Sequence, residues 1–313
     1  MADGGSGEKI EGGTYGSRPR AKIVMKREMS IIFALATMVL LLIASCTRVE
    51  APGSSSSEPE QPDESSEAVH IPNFDVSSQE DVEEAKELKV TCLPQGYAIL
   101  QSCNQTMLMD GCAAEDVEAV AQALTDLGVE RLQYIVIPNT SEERYGGVPA
   151  LMEQFHTALV FVPRDATGDD AYNEFVNNSG LAIVPVDAGS SFNVGNCPVE
   201  VVAPVMGEGV AANDASMILK VTCGNNSVLF PNDASTPELE ALMSGSADVK
   251  ANMVFLDGRG GEDVPYGVMR LIAPAEIVTT NEHVTGGGYA ASVRQLADEP
   301  LSVLLDGSKL NVE

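Results

Sequence analysis

From Leu88 onward, short apolar runs alternate with stripes of helical spacing, the pattern of a mixed α/β domain. LKVTCL (88–93) and YAILQS (97–102) read as strands split by Pro94-Gln95-Gly96, and QTMLMDG (105–111) as a third ending in Asp110-Gly111. Val117, Val120, Ala121, Leu124 and Leu127 recur at three- and four-residue steps and predict a helix closed by Gly128. A strand over 132–137, a polar loop and a helix near 147–156 come next, then strands near 158–162 and 181–184 around a helix near 169–178. NCPVEVVAP (196–204) and SMILKVTC (216–223) are strand-like, and SVLFPND (227–233) pairs back after Gly224-Asn225-Asn226. Helices near 236–243, 264–272 and 289–297, strands at 252–256 and 276–280, and a terminal hairpin complete the pattern. No segment repeats at a solenoid period.

The first 87 residues obey other rules. Residues 1–28 are polar and end in a basic cluster, Arg18, Arg20, Lys22, Lys26 and Arg27; SIIFALATMVLLLIA (30–44) is then apolar and uncharged. A run of about 15 residues is short for a membrane span, which needs about 20, and suits the core of a secretory signal. Ile43-Ala44-Ser45-Cys46 closes it. That motif resembles the bacterial lipobox, which implies lipidation of Cys46; the other reading is an uncleaved signal anchor. Translation from Met25 would yield an ordinary signal, and the upstream residues would otherwise form a cytoplasmic tail. Both readings place the rest of the chain on the extracytoplasmic side of a cell membrane. Serine, proline and acid dominate the next stretch, giving a disordered tether over 47–87.

Charge narrows the partners. The chain carries a formal −28, and the span 47–88 alone holds twelve acids against Arg48 and Lys86. So acidic a chain is repelled by phosphate polymers, which disfavours nucleic acid as a partner. The expected partners are the membrane, through lipid or an N-terminal helix, and a protein or small-molecule ligand.

The most informative stretch is IVIPNTSEERYGG (135–147): a strand, a polar loop, a double glycine and a helix. It resembles the metal-binding loop of metallo-β-lactamase-fold hydrolases, T-H-x-H-x-D-H-x-G-G. Counted back from Gly146-Gly147, the histidine positions fall on Asn139, Ser141 and Arg144 and the aspartate on Glu143. LKVTCLPQGYAILQSCNQTMLMDG is similar to the opening of the ComEC-type competence domain, matching at Gln95, Gly96, Ala98, Ile99, Leu100, Asp110 and Gly111. Further on, Pro231-Asn232-Asp233 stands where that family has T-G-D, and MVFLDGRGG (253–261) puts Gly258 and Arg259 at its paired histidines. The last ligand region falls near Gly286-Gly287-Gly288. The resemblance covers about 88–313 and implies an αββα metallo-β-lactamase-like sandwich whose metal motifs are degenerate.

Little of the metal chemistry survives the substitutions. Zinc hydrolases need neutral imidazoles and carboxylates to hold the ion and acidify its water. This chain has three histidines, His70 in the tether, His156 on the predicted post-loop helix and His283 before the glycine run. Of the motif positions, Asp233 keeps its type and Glu143 is a conservative stand-in. A guanidinium cannot ligate and repels a dication, so Arg144 is expected to pair with Asp233 or Glu143, and Arg259 with Asp233 or Asp257, unless both point into solvent. Glu142, Glu143, Asp233 and Asp257 are oxygen ligands of the kind calcium accepts, but they lack calcium-loop spacing. Ser141 has no histidine partner in the loop. We therefore expect no catalytic residues, metal or cofactor, and a binding or scaffolding role; the alternatives are a divergent phosphoesterase-like hydrolase and a ligand-capturing lipoprotein anchored on Arg144 and Arg259. Five cysteines remain beside Cys46; Cys92 and Cys223 read as small core residues, and the sequence assigns no pair. Cys46→Ala should release the protein or leave its signal uncleaved; an unchanged membrane-bound form without lipid at residue 46 would rule out the lipobox.

Overall fold

The computed structural model describes residues 87–164, 168–204, 216–258, 264–284, 288, 290, 292–306 and 309–312. All lie in the second of two compact units, Ser65–Glu313. Cys46, Arg259, His70, Gly286 and Gly287 fall outside the described residues, as do the apolar run 30–44 and the tether. Among the described residues no helix is long and apolar enough to cross a membrane.

Two sheets face each other. The first holds, in spatial order, β15 (Leu310–Val312), β14 (Leu301–Leu305), β1 (Leu88–Cys92), β2 (Ala98–Ser102), β3 (Gln105–Met109), β4 (Arg131–Val136), β5 (His156–Pro163) and β6 (Ile183–Val186). The second runs β13 (Ser292–Gln295), β12 (Glu276–Thr279), β11 (Met253–Leu256), β10 (Asn226–Phe230), β9 (Ile218–Cys223), β8 (Cys197–Ala203) and β7 (Ser191–Val194). Strands joined by hairpins pair antiparallel; those joined through helices, β3 to β6 and β10 to β12, pair parallel, and β13 adds parallel to β12.

Side-chain alternation explains the layers. In β3, Met107 and Met109 enter the core between the sheets, while Leu108 points to a second core under α1 (Val117–Asp126), α3 (Val148–Gln154) and α4 (Asp170–Asn178). β4 divides likewise: Tyr134 and Val136 face inward, Leu132 and Ile135 outward. In the other sheet, Val228 and Phe230 face inward, while Leu229 packs under α5 (Thr236–Ser244) and α6 (Tyr266–Ile272). The result is helix, sheet, sheet, helix. This is the αββα architecture that the resemblance implies. Phe161 of β5 stacks on Phe192 of β7 with ring centroids 4.2 Å apart, and Tyr134 meets both, so aromatic contacts bridge the sheets.

Four local expectations are corrected. Within the stretch read as a helix near 289–297, Ser292–Gln295 is instead an edge strand, β13, pairing parallel with β12. Its helix formers are overridden by the open edge of β12 and by Arg294 and Ser292 reaching Glu276. His156 does not end a helix but opens β5, opposite Arg131. The polar loop after β4 contains one helical turn, α2 (Glu142–Tyr145). β7 is a strand beyond those the pattern predicts, because four residues between turns at Gly189 and Gly195 give too short an alternation.

Candidate functional site

The parallel order brings the ends of four strands together. Asp110 comes directly after β3, Arg144 lies on the loop after β4, Asp233 lies just past β10, and Asp257 just past β11. β3 and β4 are neighbours in one sheet, β10 and β11 in the other, so the four residues meet where both sheets present their carboxyl ends.

The loop geometry is fixed by close backbone packing. A Cβ on Gly111 would collide with the carbonyl oxygen of Arg144, and one on Gly147 would lie 2.6 Å from the carbonyl oxygen of Ala113. The double glycine therefore lets the α2–α3 corner settle on the Asp110–Ala113 turn, and Gly147 N–H donates to Cys112 O at 2.8 Å. Tyr97 braces that turn: its hydroxyl donates to Asp116 at 2.7 Å and accepts from Ala113 N–H at 3.1 Å. Across the sandwich, Met217 N–H donates to Pro138 O at 2.8 Å, joining the loop to β9.

Arg144 is the centre of the arrangement. It is 1% exposed and forms ion pairs with Asp110, Asp233 and Asp257, the last at 2.8 Å. Burial disfavours its charge, but the three carboxylates outweigh burial and hold its pKa above the ordinary arginine value. Asn139 Nδ2 donates to Asp233 at 2.9 Å, and its Oδ1 accepts from Ser141 N–H at 3.0 Å. Of the positions read from the motif, Asn139, Arg144 and Asp233 are thus brought together, and Asp257 just precedes Gly258. Gly258 itself turns with φ +72° against Thr280, where a Cβ would lie 2.6 Å from the hydroxyl. Ser141 and Glu143 are exposed and take no part in the cluster.

The anticipated Arg144–Asp233 pair is present; Glu143 is not its partner, and Arg144 does not point into solvent. Nor has Arg144 a free face for an anion. Asp257, expected with Asp233 as a partner for Arg259, bonds Arg144, while Arg259 itself lies outside the described residues. The described histidines lie elsewhere: His156 at the opposite end of its sheet, His283 on an exposed turn after β12. Among the described residues no group of three or more His, Cys, Asp or Glu side chains could hold a metal ion. The residues do not fit the metal that the fold family implies. The guanidinium fills the space between the acids, and the imidazole positions carry an amide, a hydroxyl and that guanidinium.

A further buried carboxylate lies just beyond β10, on the helix that follows Asp233. Glu238, in the first turn of α5, is 1% exposed and accepts from Ser216 N–H at 3.2 Å and from the backbone of Ser235. Burial pushes its pKa up to about 7, against the two backbone donors that pull it down. The sequence contained a signal for it: Ser235 and Glu238 have the S-x-x-E spacing of a capping box.

No protein-family model matches the chain, and no curated protein matches it. Its structural neighbours include metallo-β-lactamase-fold proteins. YhfI from Bacillus subtilis, described as a metallo-β-lactamase fold protein, is 12% identical, with 69% of this chain and 99% of that one covered at a TM-score of 0.46. Igni18, described as a novel metallo hydrolase of Ignicoccus hospitalis, is 12% identical, covering 69% and 98% at 0.47. A point mutant of CmlA, a β-hydroxylase of Streptomyces venezuelae, is 13% identical over 70% of this chain at 0.49; the chain spans about half of it, 54%.

Both buried charges can be tested by unfolding. Arg144→Met leaves three carboxylates facing one another without their cation and should cost about 3–5 kcal/mol in urea unfolding at pH 7. Arg144→Lys should recover only part, since an ammonium cannot fork to three acids. Wild-type stability near that of Arg144→Met would show that the cluster is solvated instead. For Glu238, a folded pKa above the unfolded value means its contribution is full below about 4.5 and is lost as pH rises through about 7. Glu238→Gln should therefore gain about 3 kcal/mol relative to wild type between pH 4 and pH 8. Parallel stability–pH curves would contradict this.

Proposed function

We propose that this chain is a membrane-tethered extracytoplasmic protein whose domain, resembling the ComEC-type competence proteins in motif order, performs no hydrolysis and serves in binding or scaffolding. The observation that carries the reading is the Arg144 guanidinium seated among Asp110, Asp233 and Asp257 at a position where the motif places a metal-ligating histidine. A hydrolytic zinc keeps one coordination position open for the water it activates. A guanidinium offers only donors, and here both of its terminal nitrogens face carboxylates.

Support for a binding role lies on the outer face of the second sheet. Met243 of α5 and Tyr266 and Leu271 of α6 are the exposed large apolar side chains among the described residues. Met243 lies against Gly267, beside Tyr266, and the Arg270 guanidinium sits 6.0 Å from the Tyr266 ring centroid. The membrane attachment rests on the apolar run 30–44 and Cys46.

Elemental analysis and thermal unfolding of the purified full-length protein test the reading together. Zinc, manganese and iron should each be well below one equivalent, and added zinc should not raise Tm, since a ligand stabilises only the state it binds. Phosphodiesterase activity should be absent with and without zinc. A stoichiometric metal that disappears in Asp233→Ala would establish the divergent hydrolase instead.

A further inference from the structure

The end of the sandwich remote from Arg144 gathers thiols. Three hairpin turns meet there: Cys103-Asn104 between β2 and β3, Gly195-Asn196 between β7 and β8, and Gly224-Asn225 between β9 and β10. Gly195 N–H donates to Gln105 Oε1 at 2.8 Å, and a Cβ on Gly195 would lie 2.6 Å from Ser102 O, so the first two turns are in direct contact. Cys197 and Cys223, both buried, sit at the ends of β8 and β9 facing this junction.

The ladder register places these two cysteines opposite each other. Val199 pairs with Val221 and Val201 with Leu219, so two further steps down the antiparallel pair set Cys197 against Cys223. The N–H and C=O of Val201 bond toward the β7 side, at Ser190 and Gly189, so every second residue of β8 from Val201 turns its backbone away from β9. Cys197 is in that set. Cys223, the closing residue of the β9–β10 hairpin opposite Asn226, belongs to its own non-bonded set toward β8. Directly opposed residues at such positions have Cα atoms about 4.5 Å apart and their side chains closest, inside the disulfide window of about 4.4–6.8 Å. The Cys223 thiol lies near enough to Cys197 to help raise its pKa.

We propose that Cys197 and Cys223 are a disulfide-forming pair, closing a cross-strand bond under an oxidant of the disulfide class. One thiolate attacks the oxidant's disulfide, giving a mixed disulfide and releasing one small thiol. The second cysteine attacks the protein sulfur of that mixed disulfide and releases the other. The two cysteines lose two electrons and two protons, and the oxidant leaves as two thiols. Burial holds the Cys197 pKa up at about 12, so the reduced pair exchanges slowly while the hairpin ends stay closed. Cys103 is the competing thiol: it is half-buried, and Ser102 Oγ lies 3.8 Å from its sulfur and 3.6 Å from that of Cys197. It lies on a hairpin of the other sheet, without the opposed register of the other two.

Closure in the cell rests on the proposed extracytoplasmic location; the pairing itself does not. Purified full-length protein would be incubated with glutathione disulfide, alkylated, digested and mapped by mass. The expected product is a Cys197–Cys223 peptide two hydrogens lighter than its parts, with Cys103 alkylated. Oxidation should raise Tm by on the order of 10 °C. That shift should persist in Cys103→Ser and vanish in Cys197→Ser/Cys223→Ser, whose reduced-state Tm controls for packing. A peptide joining Cys103 to either cysteine, or full alkylation of both after oxidation and unfolding, would overturn the proposal. Acid-quenched cells read the location separately: a pair that closes in the tube but is alkylated from cells refutes the extracytoplasmic reading and leaves the pairing standing.

Discussion

The junction where the two sheets present their carboxyl ends is held by one buried cation. Asp110, Asp233 and Asp257 come from three strand ends in two sheets, and like charges so placed repel one another unless a positive charge lies between them. Arg144 supplies it. Buried ion pairs are weak sources of net stability because desolvation offsets the attraction, yet removing one partner is strongly destabilising. The cluster therefore acts mainly as a specification: the two sheets and their loops must meet in the one arrangement that delivers the guanidinium to all three acids.

Much of the local sequence makes that delivery possible. Gly111 and Gly147 permit the backbone approach that sets Arg144 beside Asp110, and Tyr97 holds the Asp110 turn from outside. Tyr145, next to Arg144, packs edge-on to Tyr172 and against Phe175 of α4, so the helical turn carrying Arg144 is pinned on its apolar side. Asn139 bonds both Asp233 and the Ser141 backbone, shaping the loop while satisfying the most exposed of the three acids. Residues at the positions that the motif resemblance reads as ligands thus take structural duties.

The sequence is readable where local and tertiary signals agree. Period-two runs such as QTMLMDG and the three-four stripe from Val117 to Leu127 mark their elements, and strand order accords with the resemblance. The Arg144–Asp233 pair is foreseeable because a cation at a metal position needs the remaining acid. Its other partners are harder: Asp110 and Asp257 stand 34 and 113 residues away, and only the packing of both sheets brings them to one guanidinium. Illegibility elsewhere has specific causes. Ser292–Gln295 holds helix formers but is claimed by an open sheet edge. Glu238 looks like an ordinary first-turn acid until Ser216, from another part of the chain, closes over it.

A metal and a guanidinium solve the same electrostatic problem with different consequences. A metal must be acquired, binds only deprotonated ligands, and so ties the fold to metal supply and pH. An arginine is encoded in the chain and remains charged throughout the range in which proteins fold. Its planar fork also reaches acids from both sheets at once, where an ammonium would act as a point charge. The exchange keeps the acids and their sheet-to-sheet junction and gives up the open coordination position. On the proposed reading, that is why a fold built around a reactive ion can persist without one. On that reading the junction contributes stability rather than chemistry, through the ion pairs that Arg144 makes across the two sheets.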